Sequence, residues 1–223
     1  MAGLVDFLLR PPADRSEPVP APSAAEAAAV LAPAGLLDAA AHAVAAATAE
    51  RGRWRGALIC RWSADGNPLS PPRYRARPVH SVQRLRRAGL DAVSWRGHVV
   101  VELPALAADC RDVIERACDR ADPGPLILAF GGPRPEELDP LIAAADAVIV
   151  ACLPAADRQI AELALTRAAA PGRRGGILAL PAAGGLGAVL AHGQARRAAA
   201  ELLAAPAGSC VVAGAPAEAA HAH

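Results

Sequence analysis

Short apolar runs alternate with amphipathic segments along most of the chain. The apolar runs predict strands at 56–62, 126–130, 147–153, 177–180 and 210–213. The amphipathic segments predict helices at 81–89, 107–121, 135–145, 157–169 and 187–203. Strands that are solidly apolar and separated by helices are typical of a parallel sheet that is covered on both faces.

One pair of apolar runs is not separated by a helix. Residues 91–95 and 99–103 are rich in β-forming side chains, and only Arg96-Gly97-His98 lies between them. This spacing predicts an antiparallel hairpin at one side of the sheet. We therefore expect an α/β fold of three layers, with a mostly parallel sheet, an antiparallel hairpin and a Rossmann-like or P-loop-like topology.

The segment 23–50 has helical character in two pieces. Ser23 is followed three residues later by Glu26, which is the spacing of a capping box at a helix start. Pro33 and Gly35 interrupt the run. The sequence therefore predicts a first helix before Pro33 and a second helix after Gly35.

The two ends of the chain predict no folded structure of their own. Residues 1–9 are a short apolar segment, and residues 10–23 contain five prolines, which indicates a linker. Residues 24–213 are expected to form a single α/β domain, and the Ala-rich residues 214–223 a disordered tail. We find no positive region of a signal peptide and no candidate membrane span, so we expect a cytoplasmic protein.

The composition removes several kinds of chemistry. The chain has 59 alanines, in keeping with GC-rich coding, and all 23 of its basic residues are arginine. Without lysine it cannot form a Schiff base, anchor pyridoxal phosphate or supply the lysine of a P-loop. We also find no GxSxG motif that would place a nucleophilic serine. Catalysis is therefore the less favoured class of function.

Charge and metal-type residues do not point to a cofactor either. The net charge of +1 provides no global attraction to nucleic acid or an anionic membrane. Five widely spaced cysteines lack a CxxC pair, and the histidines lack the spacing of a metal motif. We expect free thiols in a reducing compartment, no bound metal and no cofactor.

Glycine-rich loops follow two of the predicted strands. In open α/β sheets, ligands bind outside the carboxyl ends of the strands. Gly131, Gly132 and Arg134 follow one strand, and Gly184, Gly185 and Gly187 follow another, without the GxGxxG spacing. These six residues are the candidates for binding a nucleotide or small anion, and well-capped helix starts are the alternative.

Arginine and aromatic residues are concentrated between positions 51 and 96. This stretch has 11 arginines against two acids, and it holds all three tryptophans and the only tyrosine. Stacking and charge of this kind suit a protein partner or a single-stranded nucleic acid, and a solvated edge that pairs with acids elsewhere is the alternative. The candidate partner-binding residues are Trp62, Arg73, Tyr74, Arg75, Arg77, Arg84, Arg86 and Arg87.

The region Val99–Leu180 carries phrases known from one protein family. They are Glu102-Leu103-Pro104 at a strand end, LAFGGPRP at 128–135, and LDPLIAAADAVIVACLPAADRQIAELAL at 138–165, with AADAVIV at 144–150. These phrases are similar to the later half of ParA/MinD-type partition and positioning ATPases and of their pilus-assembly relatives. The chain departs from that family because it lacks the two Walker A lysines and has Glu102 within VVVELP where the Walker B strand ends in Asp.

The resemblance implies a degenerate member that keeps the fold and does not hydrolyse nucleotide through magnesium. We therefore expect a non-catalytic adaptor, localisation or scaffolding protein that binds a protein partner or a second copy of itself. Two alternatives remain open. One is a small Rossmann-like enzyme that holds a nucleotide or anion on its glycine-rich loops. The other is a nucleic-acid-binding protein that uses the stretch 51–96.

Overall fold

The computed structural model describes residues 26–66, 80–153, 158–168, 173–180 and 187–214. The strands are β1 (Ala27–Ala32), β2 (Leu58–Ser63), β3 (Ala92–Trp95), β4 (His98–Glu102), β5 (Leu126–Gly131), β6 (Ala147–Cys152), β7 (Arg174–Ala179) and β8 (Cys210–Gly214). The helices are α1 (Ala34–Arg51), α2 (His80–Arg87), α3 (Ala107–Arg120), α4 (Asp139–Ala144), α5 (Arg158–Ala168) and α6 (Gly187–Ala204). A 3₁₀ turn at Glu136–Leu138 precedes α4.

The strands form one sheet in the order β3-β4-β2-β5-β1-β6-β7-β8. All neighbouring strands in it are parallel except β3 and β4, which form the predicted antiparallel hairpin. Strand β1 lies near the centre, where Val30 is level with Ala129 of β5 and Ile149 of β6. The predicted α/β class, with a mostly parallel sheet and a Rossmann-like three-layer arrangement, is confirmed.

The two faces of the sheet carry separate cores, as period-two alternation requires. In β1, Ala27, Ala29 and Leu31 contribute to one core, and Ala28, Val30 and Ala32 contribute to the other. Helices α2, α3, α4 and α5 cover the first face, and α1 and α6 cover the second. Among the described residues, α1 and α6 thus supply the helical part of the second core, which also includes Trp95 and Val100 of the hairpin.

The predicted helix before Pro33 is wrong, because residues 27–32 form the strand β1. Alanine favours a helix when only local propensity acts. Every residue of β1 is buried, however, and the strand is hydrogen-bonded to β5 on one side and β6 on the other. Small side chains fit between the strand and the helices on both faces, so tertiary packing overrides the local preference. The first strand of the sheet is therefore β1 and not β2.

The other predicted elements are found with shifts of a few residues. The predicted helix 135–145 divides into the 3₁₀ turn and α4, because Pro140 lacks an N–H and is tolerated only in the first turn of an α-helix. The N-terminal segment 1–9, the linker 10–23 and the tail after Gly214 lie outside the described residues. In the part of the chain that the structure describes, no helix has the length and apolar character of a membrane span.

Candidate functional site

The connection between β1 and α1 is one residue long. Strand β1 ends at Ala32 and α1 begins at Ala34, so only Pro33 joins them. Pro33 has no N–H, and its carbonyl oxygen accepts a hydrogen bond from the N–H of Leu36 at 2.9 Å. A phosphate loop needs several consecutive N–H groups that converge on the ligand. This connection is too short to form such a loop.

A buried arginine lies near the carboxyl ends of β2 and β4. The side chain of Arg61 on β2 is only 5% exposed. Its Nε donates to Oδ1 of Asp38 on α1 at 2.9 Å, and its Nη1 donates to Oε2 of Glu102 on β4 at 3.1 Å. The guanidinium group thus holds three elements together, and both carboxylates are engaged within the protein.

The predicted glycine pair at 131–132 lies at the carboxyl end of β5 and allows close packing there. A Cβ on Gly131 would lie 2.7 Å from Cδ2 of Leu37, so α1 packs directly on this glycine. Gly132 has a φ of +78°, and its N–H donates to the carbonyl oxygen of Ala32 at 2.9 Å. Arg134 forms an ion pair with Asp139, with 2.9 Å between Nη2 and Oδ1. Anion binding by these three residues stays a prediction.

The second predicted glycine loop lies mostly outside the described residues. Gly184 and Gly185 are not described, and Gly187 is the first residue of α6. The two glycine loops are thus not seen together as one site.

The predicted partner-binding residues divide into three groups. Trp62 is 5% exposed and belongs to the core on the α2–α5 face, so it does not reach the surface. Arg84, Arg86 and Arg87 are exposed on α2. Arg84 pairs with Asp122, and Nε of Arg86 donates to the carbonyl oxygen of Ala92 at 2.6 Å. Partner binding stays a prediction for these residues. The remaining four lie outside the described residues, namely Arg73, Tyr74, Arg75 and Arg77.

A groove of about 410 Å³ lies at the opposite, amino-terminal edge of the sheet. It is bounded by α1, α6, the β3–β4 hairpin and the segment that precedes β2. We call it the histidine–arginine groove, after six of its twelve lining residues, namely His42, Arg55, Arg96, His98, His192 and Arg196. His98 is the first residue of β4, which places the groove at the amino ends of the strands.

Three histidine rings meet at this groove. The ring centroid of His42 is 5.3 Å from that of Trp95, 5.3 Å from that of His98 and 5.7 Å from that of His192. Nδ1 of His98 accepts a hydrogen bond from the N–H of Ala57 at 3.2 Å. In the neutral ring the proton of His98 is therefore on Nε2. Nδ1 of His42 is buried and has no hydrogen-bond partner among the described residues.

The histidines of the groove are neutral at pH 7. Burial, with smaller contributions from His98 and Arg96, lowers the pKa of His42 to about 3. Burial lowers the pKa of His98 to about 4. The pKa of His192 is also lowered, first by burial and then by Arg96. Because charging these rings is unfavourable, they act as neutral hydrogen-bonding groups.

The arginines of the groove are not all neutralised. The guanidinium of Arg96 lies 5.2 Å from the centroid of the Trp95 ring and contacts Nε2 of His192. Nη1 of Arg196 lies 2.9 Å from Oε1 of Glu50. Arg55 forms no ion pair with any residue that the structure describes. The groove therefore keeps more positive than negative charge.

Metal binding and thiol chemistry find no support in the described ranges. No group of histidine, cysteine and acidic residues there has metal-binding geometry, and this includes the three groove histidines. The five cysteines are free. Burial raises the pKa of the Cys110 thiol to about 11 and that of Cys118 to about 12, and it also raises the pKa of Cys60. These thiols are protonated at pH 7 and therefore poor nucleophiles.

Sequence reasoning missed the groove because its residues are far apart in the chain. They come from α1, the segment before β2, the hairpin and α6, and they follow no motif. One signal pointed towards it, since Trp54, Arg55 and Arg96 belong to the arginine and aromatic stretch 51–96. That signal concerned the right region but did not single out these residues.

Comparison with known proteins does not assign this chain to a family. No model of a known protein family matches it, and no curated protein matches it.

Proposed function

We propose that this chain is a non-catalytic adaptor or localisation protein built on a nucleotide-binding type of α/β fold. On this proposal it is a degenerate relative of the ParA/MinD-type ATPases that keeps the sheet and has lost the phosphate site. The observation that carries the proposal is the connection between β1 and α1. Pro33 alone joins the two elements, where a phosphate loop would need a run of N–H groups and a lysine.

The ion pairs of Arg61 support the same conclusion. Phosphoryl transfer needs carboxylates that hold magnesium and basic groups that contact the phosphates. Asp38 and Glu102 instead form ion pairs with the buried guanidinium of Arg61, which links α1, β2 and β4. Leu37 packs on Gly131 beside them. The charges of Arg61, Asp38 and Glu102 are thus paired with one another at this edge.

The exposed arginines of α2 are the surface that we assign to a protein partner. Arg84, Arg86 and Arg87 lie within four residues on a helix of eight residues that has no acidic residue in its first turn. Exposed guanidinium groups form bidentate pairs with carboxylates, so an acidic patch on a partner would complement them. The partner class is therefore an acidic protein surface.

A nucleotide screen tests the loss of the phosphate site. Thermal unfolding is measured with ATP, ADP, GTP, NAD and NADP, with and without magnesium. A ligand at about 100 times its Kd adds about 2.7 kcal/mol to the free energy of unfolding, which is a shift of about 2–4 °C for each kcal/mol at this size. We expect no shift that depends on the nucleoside or on magnesium.

The histidine–arginine groove requires a control in this screen, because its guanidinium groups would attract any phosphate. Each titration is therefore repeated with inorganic pyrophosphate and with the variants Arg96→Asn and Arg196→Gln. A nucleotide-induced shift that persists in both variants would place a nucleotide elsewhere on the protein, and the proposal would then be wrong.

Charge reversal tests the partner surface. Arg84→Glu with Arg87→Glu reverses the charge of α2, and Arg111→Glu with Arg116→Glu is the matched control on α3, where both arginines are also exposed. We expect at least one protein to be retained by the wild type and the α3 control and lost from the α2 variant. If the α2 variant retains every protein that the control retains, the assignment of this surface is wrong.

A further inference from the structure

We propose that the histidine–arginine groove binds a small molecule that carries phosphate or carboxylate groups. This inference is independent of the adaptor proposal, because the groove lies at the opposite edge of the sheet. Its volume of about 410 Å³ is of the size that encloses small ligands. A ligand here would act as an effector of the protein and would not require catalysis.

Charge is the first argument for an anion. Arg55, Arg96 and Arg196 line the groove, and Glu50 is the one carboxylate among the lining residues. Glu50 is engaged by Arg196, with 2.9 Å between the two side chains. The remaining guanidinium groups offer donors in a planar fork, which matches the geometry of phosphate and carboxylate oxygens.

Hydrogen-bonding capacity is the second argument. Nδ1 of His42 is buried without a partner among the described residues, although buried polar atoms are normally satisfied. A neutral imidazole can place its proton on Nδ1 and donate to an oxygen atom. Because this nitrogen lies beneath the surface of the groove, the donors that line the groove itself are those of the arginines, and a ligand rich in acceptor oxygens would complement them.

A glycine inside α6 is the third argument. Gly193 lines the groove, and a Cβ placed on it would meet no atom within 4 Å. Glycine in a helix interior costs about 1 kcal/mol relative to alanine, and no close packing at this position requires it. The glycine instead leaves the space beside His192 open, as a binding groove needs.

The backbone of Arg96 is the fourth argument. Arg96 has a φ of +48° and Gly97 a φ of +86°, the positive values that a type I′ hairpin turn requires at its two central residues. Asparagine is the favoured residue at the first of these positions, and arginine is an uncommon one. The chain thus keeps arginine where the fold alone would prefer asparagine, and its side chain is held over the Trp95 ring at the groove.

Titration with inorganic pyrophosphate and with citrate tests the proposal. Binding is measured by calorimetry and by tryptophan fluorescence, since Trp54 lines the groove and Trp95 lies under Arg96. We expect saturable binding at one site, weakened about tenfold by Arg96→Asn and by Arg196→Gln. Gly193→Leu, which fills the open space, should abolish it, and Gly193→Ala should change the affinity by less than about twofold.

Two controls test whether the binding is specific to the groove. Arg116→Gln removes an exposed arginine from α3, on the other face of the sheet, and should leave the affinity unchanged. Arg96→Asn gives the turn its favoured residue, which offsets the lost contacts with Trp95 and His192, and thermal unfolding of this variant without ligand shows whether it is folded at the temperature of the titration.

Three outcomes would overturn the proposal. The first is no saturable binding of either anion up to about 10 mM. The second is an affinity that Arg116→Gln lowers as much as Arg96→Asn does, which would indicate diffuse attraction to surface charge. The third is binding of an acidic peptide by the same arginines without binding of pyrophosphate or citrate, which would make the groove a protein-docking surface.

Discussion

The arginines at the two edges of the sheet differ in how far carboxylates of the protein neutralise them. At the carboxyl edge, Arg61 is buried between Asp38 and Glu102, and the guanidinium is surrounded by its own carboxylates. At the amino edge, three arginines line a groove that contains one carboxylate. Ligands in open α/β sheets usually bind at the carboxyl edge, because long loops and helix starts meet there. The difference shows how much a single connection matters, because Pro33 alone joins β1 to α1 and leaves no room for a phosphate loop between these two elements.

Removing the buried arginine should have the largest effect. Arg61→Leu leaves the partly buried carboxylates of Asp38 and Glu102, whose side chains are 32% and 23% exposed, without the guanidinium that pairs with them. Because the two carboxylates keep some contact with water, we expect a loss of about 2–3 kcal/mol of unfolding free energy. Urea unfolding of the wild type and the variant measures the difference.

An exposed arginine provides the control for this change. Arg111→Ala removes the pair with Glu115 on α3 and should cost less than about 1 kcal/mol. Removing all three charges by Arg61→Leu, Asp38→Asn and Glu102→Gln should recover part of the loss. If Arg61→Leu costs no more than Arg111→Ala, the carboxyl edge is not closed by a buried ion cluster, and the contrast between the edges fails.

The amino edge should respond to acid through its histidines. Burial lowers the pKa of His98 to about 4, so the unfolded chain takes up a proton below about pH 6.5 and the folded chain does not until about pH 4. The contribution of His98 to stability is therefore complete above pH 6.5 and is lost as the pH falls towards 4. Between pH 7 and pH 5 we expect a loss of about 2 kcal/mol from this group.

Comparison with a variant that lacks only His98 isolates this contribution. In His98→Asn, the side-chain oxygen can still accept the N–H of Ala57, but the group does not titrate. The free energy of unfolding is measured for both proteins at pH 7 and pH 5. Equal pH dependence in the two proteins would mean that His98 is accessible to protons in the folded state.

Replacing a glycine by alanine should lower the free energy of unfolding more at the amino edge than at the carboxyl edge. A Cβ on Gly56 would collide with the backbone carbonyl oxygen of Gly97 in the hairpin turn. A Cβ on Gly131 would meet the end of the flexible Leu37 side chain, which can move aside. We expect Gly56→Ala to cost about 1–2 kcal/mol and Gly131→Ala less than about 1 kcal/mol in urea unfolding. The reverse order would show that the hairpin adjusts more easily than α1.

The elements with strong local signals could be predicted from the sequence. The break Arg96-Gly97-His98 between residues 91–95 and 99–103 predicted the β3–β4 hairpin, in which the turn itself consists of Arg96 and Gly97. The apolar runs predicted β5 and β6, because no polar side chain interrupts them. In these elements, the local preference and the tertiary environment favour the same structure.

The sequence failed where tertiary packing decided the outcome. At β1 the capping-box spacing of Ser23 and Glu26 predicted a helix, and pairing with β5 and β6 on both sides determined a strand. That error also hid the short connection at Pro33. The groove was not predictable from motifs either, because His42, His98 and His192 lie up to 150 residues apart and meet only through the packing of α1, α6 and the hairpin.

The smallest expected effect on stability is that of replacing one glycine at each edge by alanine. Gly193 lies inside α6, and Gly35 lies in the first turn of α1, and a Cβ on either would meet no atom within 4 Å. Gly193→Ala should raise the free energy of unfolding by up to about 1 kcal/mol, because alanine loses less backbone entropy in a helix. Gly35→Ala should gain less, since the first turn of a helix is held by fewer hydrogen bonds. Thermal and urea unfolding of the two variants measure the difference. If Gly193→Ala were instead destabilising, the space beside His192 would be filled by the protein itself, and the groove would not be open at this position.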